Sequence, residues 1–563
     1  MAGNEIMGSS NVGVVSNDSL KQKKSIKYII ITGGVLSGLG KGVAAASIGH
    51  LLSYDYNVVP IKCDGYLNVD PGTMNPVEHG EVFVLDDGTE VDMDFGHYER
   101  FLDTVCTGNQ NLTMGKVFHQ LYEKERRGEF LGKTVQLIPH ASNHIVNWWK
   151  EVASSQNADV VLVEIGGTVG DMENELYLEA ARSLHSELGS ENVCFVHLTY
   201  IPIPGGVNEQ KSKPTQQSVS LLMQRGISPD IILCRSKEQV SEAVKNKISM
   251  FCNLGVDAVI GAPDVKSIYS IPKVFYDQNI LSVLENKLSL VANPDLVSWS
   301  KKVSTILSPI GNITIAICGK YTALEDSYAS VVEALHHSGA YHNVSVKIKF
   351  IDTENVIDNS SASSLLEDVD GVIVPGGFGS RGIEGKINVI RYCRENDVPY
   401  LGLCYGLQLA VIEFMRNVCG HPDAHTTEVN PETKTPIVDI LPEQEKITNL
   451  GGTLRLGAYP AEILSGSVVG SLYRNSGLFK ELDSKFIVSE RHRHRYEVNP
   501  VYHKELLSGG LIISGLSPDG RLAEFIELPK NKYFVATQAH PELKSSLQHP
   551  APLFIGLVGA AKK

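Results

Sequence analysis

Short apolar runs alternate with amphipathic stretches along the first half of the chain. The apolar runs predict buried strands at Tyr28–Thr32, Val58–Cys63, Val160–Ile165, Val193–Leu198 and Ile231–Cys234. Helical patterns lie between them, as at Val146–Ala153 and Leu176–Leu188. Strands that alternate with helices indicate a parallel sheet covered on both faces, so this half is predicted to be α/β.

The alternation weakens between residues 290 and 309 and then restarts. Turn chemistry at Asn293-Pro294-Asp295 and at Ser308-Pro309 marks the weak region. Further strands are predicted at Ile313–Cys318, Val346–Phe350, Gly371–Pro375, Tyr400–Cys404, Leu454–Ala458, Gly510–Ser514, Ala523–Leu528 and Tyr533–Gln538. We therefore predict a disordered polar tail at 1–26, a domain at 27–293, a linker at 294–310, a second domain at 311–557 and a C-terminal tail at 558–563.

Composition and charge narrow the class of protein. The 563 residues carry a formal net charge of −14, which argues against a general nucleic-acid binder or a protein that docks on acidic membranes. The nine cysteines form no C-x-x-C pair, which fits free thiols in a reducing compartment. No apolar run reaches the roughly 18 residues of a membrane span. We expect a cytoplasmic protein that binds neither nucleic acid nor membrane.

Cys404 stands in a Gly-x-Cys-x-Gly turn between a predicted strand and the helical pattern Gln408–Arg416. The flanking glycines permit a sharp turn, and a cysteine at a helix N-terminus is favoured as the reactive thiolate. A buried core cysteine is the simpler interpretation of any single Cys. Two further segments argue against a core cysteine. Val374–Arg381 is a glycine-rich strand end suited to an oxyanion hole. Gln538–Glu542 supplies an imidazole and a carboxylate.

These three segments, in this order, resemble a class I, triad-type glutamine amidotransferase domain over roughly residues 311–557. By this resemblance Cys404 attacks glutamine, His540 acts as base and acid, and Glu542 orients His540. The residues implied for holding glutamine and its oxyanion are Gly377, Tyr405, Gly406, Leu407, Gln408, Glu428 and Arg495. Ammonia released there needs an acceptor, which points to the first half of the chain.

A glycine-rich loop, Thr32–Gly42, lies between a predicted strand and the Ala-rich helical pattern Val43–Leu52. Its N–H groups, the helix dipole and a lysine suit phosphate. The loop departs from the standard P-loop, because Gly42 replaces the Ser or Thr that normally binds Mg²⁺. Asp92 and Asp94, on one face of an extended segment, and Glu164, at a strand end, are candidates for the missing ligands.

Six segments of the first half closely resemble the CTP synthase family: Gly33–Gly42, Asp64–Met74, His79–Val84, Asp92–Phe101, Glu164–Glu173 and Lys211–Gln217. The fusion to a triad glutaminase fits the same family. The implied fold is a P-loop-like, dethiobiotin-synthetase-like parallel-sheet domain followed by a flavodoxin-like glutaminase domain. The implied reaction is ATP-dependent phosphorylation of O4 of UTP, followed by displacement of phosphate by ammonia to give CTP.

The resemblance also implies ligands, site residues and assembly. Lys41 and Lys62 assist phosphoryl transfer, Mg²⁺ rests on Asp94 and Glu164, and His79 lines the ammonia passage. The implied ATP site is Gly38, Leu39, Gly40, Lys41, Gly42, Val43, Asp94, Asp264 and Val265. The implied UTP and CTP site is Ser37, Asp171, Met172, Glu173, Lys211, Ser212, Lys213, Pro214, Thr215, Gln216 and Lys247. The resemblance also implies that GTP activates the enzyme, with Arg455 as the cation of a lid, and that CTP inhibits it. It further implies a homotetramer that is able to form filaments.

Three alternatives remain open from the residues. A cobyrinate-type amidotransferase also joins a P-loop relative to a triad glutaminase, although Lys211–Gln217 and the DPGTM segment argue against it. The intact set of reactive residues argues against a catalytically idle scaffold. A partitioning-type ATPase explains the first half alone. The adenine contacts differ from many relatives, because Pro263 stands where they carry a lysine.

Overall fold

The computed structural model describes residues 25–74, 80–320, 325–440 and 454–562. Within these ranges a seven-stranded parallel sheet organises the N-terminal half, in the order β5-β2-β6-β1-β7-β8-β9. Its strands are β1 (Lys27–Gly33), β2 (Val58–Asp64), β5 (Asn111–Thr113), β6 (Val160–Ile165), β7 (Val193–Tyr200), β8 (Ile231–Ser236) and β9 (Val259–Pro263). A short antiparallel hairpin, β3 (Phe83–Val84) and β4 (Glu90–Val91), lies outside this sheet. The five strands predicted in this half are confirmed.

The C-terminal half is built on a mixed sheet of ten strands in the order β11-β10-β12-β13-β22-β21-β20-β16-β18-β17. Its strands are β10 (Gly311–Gly319), β11 (Val344–Asp352), β12 (Gly371–Val374), β13 (Tyr400–Leu403), β16 (Arg455–Ile463), β17 (Lys480–Leu482), β18 (Lys485–His494), β20 (Ile512–Leu516), β21 (Ala523–Glu527) and β22 (Phe534–Thr537). The strands from β11 to β22 run parallel and the remainder antiparallel. A small sheet adds β14 (Ala424–Thr426), β15 (Thr435–Ile440) and β19 (Tyr496–Val498).

Helices cover both sheets. Those of the N-terminal half are α1 (Lys41–Leu52), α2 (Asp94–Leu102), α3 (Met114–Arg126), α4 (Ser142–Ser155), α5 (Glu175–Leu188), α6 (Lys213–Gln224), α7 (Glu242–Cys252), α8 (Ile271–Asp277) and α9 (Ile280–Leu288). They are followed by α10 (Val297–Leu307), α11 (Ala329–His342), α12 (Asn359–Leu366), α13 (Ile383–Glu395), α14 (Tyr405–Asn417), α15 (Val468–Ser476), α16 (His503–Gly509) and α17 (Pro552–Ala561). No helix of the described residues is long and apolar enough to cross a bilayer.

Two segments differ from the expected boundaries. The stretch 294–310, expected as a linker, contains helix α10, and Trp299 of that helix is buried and donates from Nε1 to the Tyr269 carbonyl at 2.7 Å. The last helix continues past residue 557, because Val558 and Ala561 extend its apolar face into the core.

Candidate active sites

Cys404 occupies the turn between β13 and α14 with a strained backbone, at φ 51° and ψ −100°. The flanking glycines serve close packing. A Cβ on Gly406 would lie 2.1 Å from the Val374 carbonyl oxygen, and one on Gly402 would lie 2.8 Å from the Ala536 Cβ. The backbone strain therefore resides on the cysteine itself, as expected for the middle residue of this turn.

His540 follows β22 and completes a triad with Cys404 and Glu542. Its Nδ1 lies 2.7 Å from Glu542 Oε1, and its imidazole interacts with the Cys404 sulfur. Burial alone would lower the pKa of His540, but the Glu542 carboxylate and the Cys404 sulfur raise it well above its usual value. The arrangement can hold an imidazolium beside a thiolate, as thiol nucleophiles require.

Glu542→Gln is expected to slow glutamine hydrolysis roughly 10²–10⁴-fold, the usual contribution of a positioned acid and base. Loss of the carboxylate lowers the pKa of His540, so the alkaline limb of the pH–rate profile should move to lower pH. Glutamate release across a pH series measures both effects.

Glu505→Gln is the matched control, because Glu505 pairs with His421 at 2.5 Å in the same half without contacting the triad. A Glu542→Gln profile that coincides with that of the parent protein would contradict the assigned role.

A cavity of about 470 Å³ contains the triad and most of the expected glutamine-binding residues. Among those residues, its lining includes Gly377, Gln408, Glu428 and Arg495. Gln408 Nε2 donates to the Tyr496 carbonyl at 2.8 Å, and Glu428 accepts from the Gly379 N–H at 2.8 Å. Both side chains are therefore held in place at the cavity wall.

The remaining expected glutamine residues lie behind this wall. Tyr405 donates from its hydroxyl to the Gly379 carbonyl at 3.2 Å, which ties α14 to the glycine-rich loop. Gly406 is packed against β12, and Leu407 is fully buried in the core, so its side chain faces away from the cavity. These positions can contribute backbone groups to a ligand, as the oxyanion hole requires.

The glycine-rich loop of the N-terminal half leads from β1 into α1. Gly38 and Gly40 adopt φ 73° and 87°, where a side chain would be strained. Lys41 Nζ donates to the Gly167 carbonyl at 2.7 Å. Burial lowers the pKa of Lys41, against the opposing effect of Glu164. The loop thus places backbone N–H groups and one cation at the carboxyl edge of the sheet, where α/β folds bind nucleotides.

Four carboxylates surround Lys62 at the end of β2. Its Nζ contacts Asp94 and lies 3.4 Å from Asp64, 3.8 Å from Asp92 and 3.8 Å from Glu164. Burial opposes the charge, yet the carboxylates together hold the pKa of Lys62 well above its usual value. One cation cannot neutralise four acids, so the cluster has the oxygen-rich, anionic chemistry that Mg²⁺ prefers.

The described residues contain no trio of His, Cys, Asp or Glu arranged to hold a metal ion without other ligands. The Mg²⁺ site of a phosphoryl-transfer enzyme usually uses one or two carboxylates together with substrate phosphates. Asp94 and Glu164 fit that pattern.

Gly42→Ser, which introduces the hydroxyl residue that the standard P-loop carries after its lysine, is expected to lower CTP formation rather than improve it. A Cβ at this position would lie 2.1 Å from Asp94 Oδ1 and would displace that carboxylate from Lys62. Misplacement of a reacting-site group by about 1 Å costs roughly 100-fold. The rate of CTP formation from free ammonia measures the loss, and a rate equal to that of the parent would contradict the packing argument.

Beside the loop lies an apolar cavity of about 140 Å³. Five of the expected ATP residues line it: Gly38, Leu39, Gly40, Val43 and Val265. Asp264 lies next to them but pairs with Arg235 at 2.7 Å. An apolar slot next to a phosphate loop suits the face of a nucleobase.

The expected UTP residues fall into four groups. Lys211 contacts Glu209 at 2.5 Å, and Lys247 is close enough to act on the same carboxylate. Residues 213–216 form the first turn of α6, where Thr215 is buried and bonded to Thr199 at 2.9 Å. Residues 171–173 form a separate loop, and Ser37 belongs to the glycine-rich loop.

Within those groups, several side chains have internal partners. Asp171 Oδ2 accepts from the Thr168 N–H and hydroxyl at 2.7 and 2.6 Å. Gln216 Nε2 donates to the Ser212 hydroxyl at 3.1 Å. Met172 is 86% exposed.

Two further expectations concern the ammonia route and the lid. His79 lies outside the described residues. Arg455 begins β16 and is half-buried between Glu497, at 3.3 Å, and Glu524, at 2.7 Å. Its charge is therefore engaged inside the C-terminal half in this structure.

Sequence reasoning did not single out Asp64, Tyr98 or Arg491. Asp64 ends β2 two residues after Lys62, so the rule that selected Glu164 at a strand end could have found it. Tyr98, which contacts Glu164, and Arg491, which contacts Glu99, carried no local signal. Their partners are 66 and 392 residues away in the sequence.

Comparisons with known proteins agree with this division into two halves. Residues 27–290 match the family model of the CTP synthase N-terminus, and residues 323–560 match that of glutamine amidotransferase class-I. The CTP synthase of Borreliella burgdorferi is 50% identical over 96% of this chain and 99% of its own, and that of Pyrococcus furiosus is 51% identical over 95% and 98%. A solved Trypanosoma brucei CTPS glutaminase domain with bound acivicin is 36% identical over 44% of this chain and 93% of its own, with a TM-score of 0.40.

These matches confirm the resemblance inferred from the motifs and leave the cobyrinate-type alternative without support. The family uses ATP, UTP and glutamine, and the second domain supplies nitrogen from glutamine. The chain belongs to the CTP synthase family of glutamine-hydrolysing amidoligases.

Proposed function

We propose that Cys404, His540 and Glu542 release ammonia from glutamine, and that the ammonia passes within the protein to UTP activated beside Lys41 and Lys62. The observation that carries this proposal is the composition of the triad cavity. Its lining includes Glu81 and Val82 of the N-terminal half as well as Cys404. A cavity shared by both halves supports transfer without release to solvent.

In the glutaminase half, the Cys404 thiolate attacks the carboxamide carbon of glutamine. The resulting oxyanion is held by the backbone N–H groups of Gly377 and Tyr405. His540 gives its proton to the departing nitrogen, so ammonia leaves and a thioester remains. His540 then takes a proton from water, which attacks the thioester and releases glutamate and the thiolate. Glu542 holds the imidazole through Nδ1 during both steps.

In the synthetase half, the γ-phosphoryl group of ATP passes to O4 of UTP and ADP is released. Phosphorylation turns a poor leaving group into a good one, so ammonia can attack C4 and displace phosphate to give CTP. Lys41 and Lys62 stabilise the charge on the transferred group. Asp94 and Glu164 would hold Mg²⁺, which would supply positive charge against the phosphates.

The remaining ligands are assigned to the other groups of side chains. Lys211, Lys213, Gln216 and Lys247 hold the triphosphate of UTP, and CTP inhibits by competing for it. Ser37, Ser212, Pro214 and Thr215 shape the same site, and residues 171–173 receive the cytosine. The adenine of ATP lies in the apolar slot beside Val265, with Asp264 at its edge.

Regulation and assembly follow the family pattern in this proposal. GTP activates through Arg455, the cation expected in a lid, which is released from Glu497 and Glu524 to meet it. His79 lines the ammonia passage, the enzyme works as a cytoplasmic homotetramer, and filaments form from such tetramers.

The test follows UV absorbance as UTP is converted to CTP by the purified protein with ATP and Mg²⁺. We expect CTP from either glutamine or free ammonia, and more from glutamine when GTP is added. Failure with both nitrogen sources would contradict the function, and failure with glutamine alone would contradict the role of the triad.

A further inference from the structure

Helix α2 joins the nucleotide site to the glutaminase half. Its first residue, Asp94, pairs with Lys62 and lies against the phosphate loop at Gly42. Five residues further on, Glu99 forms a two-point ion pair with Arg491 of β18. Arg491 Nη1 lies 2.7 Å from Glu99 Oε2, and Nη2 lies 3.0 Å from Glu99 Oε1.

Arg491 is held rigidly by the synthetase half. Its Nε donates to Asp86 Oδ1 at 2.6 Å, so the guanidinium is paired on two sides with carboxylates of that half. The residue is 1% exposed. A planar guanidinium with two-point pairing, closed off from water, has little freedom to move independently of its partners.

The backbone of Arg491 in turn supports the triad. Its carbonyl oxygen accepts from the His540 N–H at 2.7 Å, and its Nη1 donates to the Leu543 carbonyl at 3.4 Å. The two contacts lie on either side of the His540–Glu542 segment. Any displacement of Arg491 therefore reaches the imidazole that protonates the leaving nitrogen.

A second contact lies two residues along the same strand, on the same face by the alternation of a β-strand. Arg493 Nε pairs with Glu90 Oε1 at 2.7 Å, and the Arg493 carbonyl lies 3.9 Å from the Cys404 sulfur. Strand β18 is thus fixed to the synthetase half at two points and contacts two members of the triad.

We propose that Arg491 is a positioning residue that couples the nucleotide site to glutamine hydrolysis through helix α2. Substrate binding beside Asp94 shifts α2, Glu99 transmits the shift to Arg491, and the backbone of His540 follows. Such coupling has a chemical purpose, because glutamine hydrolysed without activated UTP wastes ammonia. The inference rests on the proposed roles of Asp94 and His540.

The test compares glutamate release from glutamine with and without ATP, Mg²⁺ and UTP. In the parent protein we expect the nucleotides to raise the rate. In Glu99→Gln, which keeps the size of the side chain and removes its charge, the ratio of the two rates should fall to within about twofold of one. CTP formation from free ammonia should stay within about twofold of the parent, since Glu99 contacts no substrate group.

Asp103→Asn is the matched control. Asp103 caps the same helix and also meets the C-terminal half, through His549 at 3.3 Å, but it contacts no triad residue. This variant should keep the ratio of the parent. A merely structural loss of contact between the halves would lower both rates together and leave the ratio unchanged.

A Glu99→Gln variant with the ratio of the parent, or a parent whose hydrolysis ignores the nucleotides, overturns the proposal. If Glu99→Gln does not fold, as judged by ammonia-driven CTP formation, Asp86→Asn removes the more exposed partner of Arg491 and gives the same test. Cys404→Ala, measured alongside, separates the two hypotheses. If that variant still hydrolyses glutamine, the assignment of the triad fails; if it does not, an unchanged Glu99→Gln ratio rejects the coupling alone.

Discussion

Replacing Cys404 with alanine is expected to abolish CTP formation from glutamine and to leave formation from free ammonia within about twofold of the parent. No other described group in the triad cavity replaces the thiolate as a nucleophile, and loss of a triad nucleophile typically costs at least about 10⁴-fold. The synthetase site is built from separate residues, so it should remain active. UV absorbance during the conversion of UTP to CTP, with each nitrogen source in turn, measures the two rates.

Cys419→Ala provides the control for this result. Cys419 lies just beyond the helix that Cys404 begins, and it is only partly buried and remote from the triad. The Cys419→Ala variant should keep the activity of the parent with both glutamine and free ammonia. Equal loss of both activities in Cys404→Ala would contradict the division of labour between the two halves.

Lys41→Ala is expected to stop CTP formation with glutamine and with ammonia alike, by roughly 10³-fold or more. The lysine begins α1 at the phosphate loop, and the proposed mechanism assigns it to the charge on the transferred phosphoryl group. Lys62 alone should not compensate for this loss, because four carboxylates already lie within 4 Å of its ammonium group. The same absorbance measurement applies.

Lys116→Ala is the matched control, since Lys116 also has a pKa lowered by burial but donates to the carbonyl of Asn111 away from the loop. Glutamine hydrolysis measured without nucleotides should persist in Lys41→Ala. Retained ammonia-driven synthesis in that variant would refute the role of Lys41.

Much of the fold could be predicted from local patterns, and the exceptions have physical causes. Strands buried on both faces are continuous apolar runs, so β1, β2 and β6 were evident. Strand β9 was missed because Gly261 and Pro263 interrupt its apolar run, and β5 because its three residues include two polar ones. Neither segment has a longer apolar run than an ordinary loop.

The sites show the same contrast between local and distant information. The triad could be found because Cys404 directly follows β13, and His540 and Glu542 come within five residues of the end of β22. The acidic surroundings of Lys62 and the pairing of Arg491 with Glu99 depend on contacts between segments far apart in the sequence, which no local pattern encodes. Such contacts decide whether a charged side chain is solvated or part of a site.

The burial of Trp299 in the first half determines where the two catalytic modules can be separated. A cut at the weak pattern near residue 293 would strip an indole from the core of the synthetase and leave its helix attached to the glutaminase. Separate expression of the first half therefore requires a chain that retains α10 through Leu307, so that the indole of Trp299 keeps its place in the core.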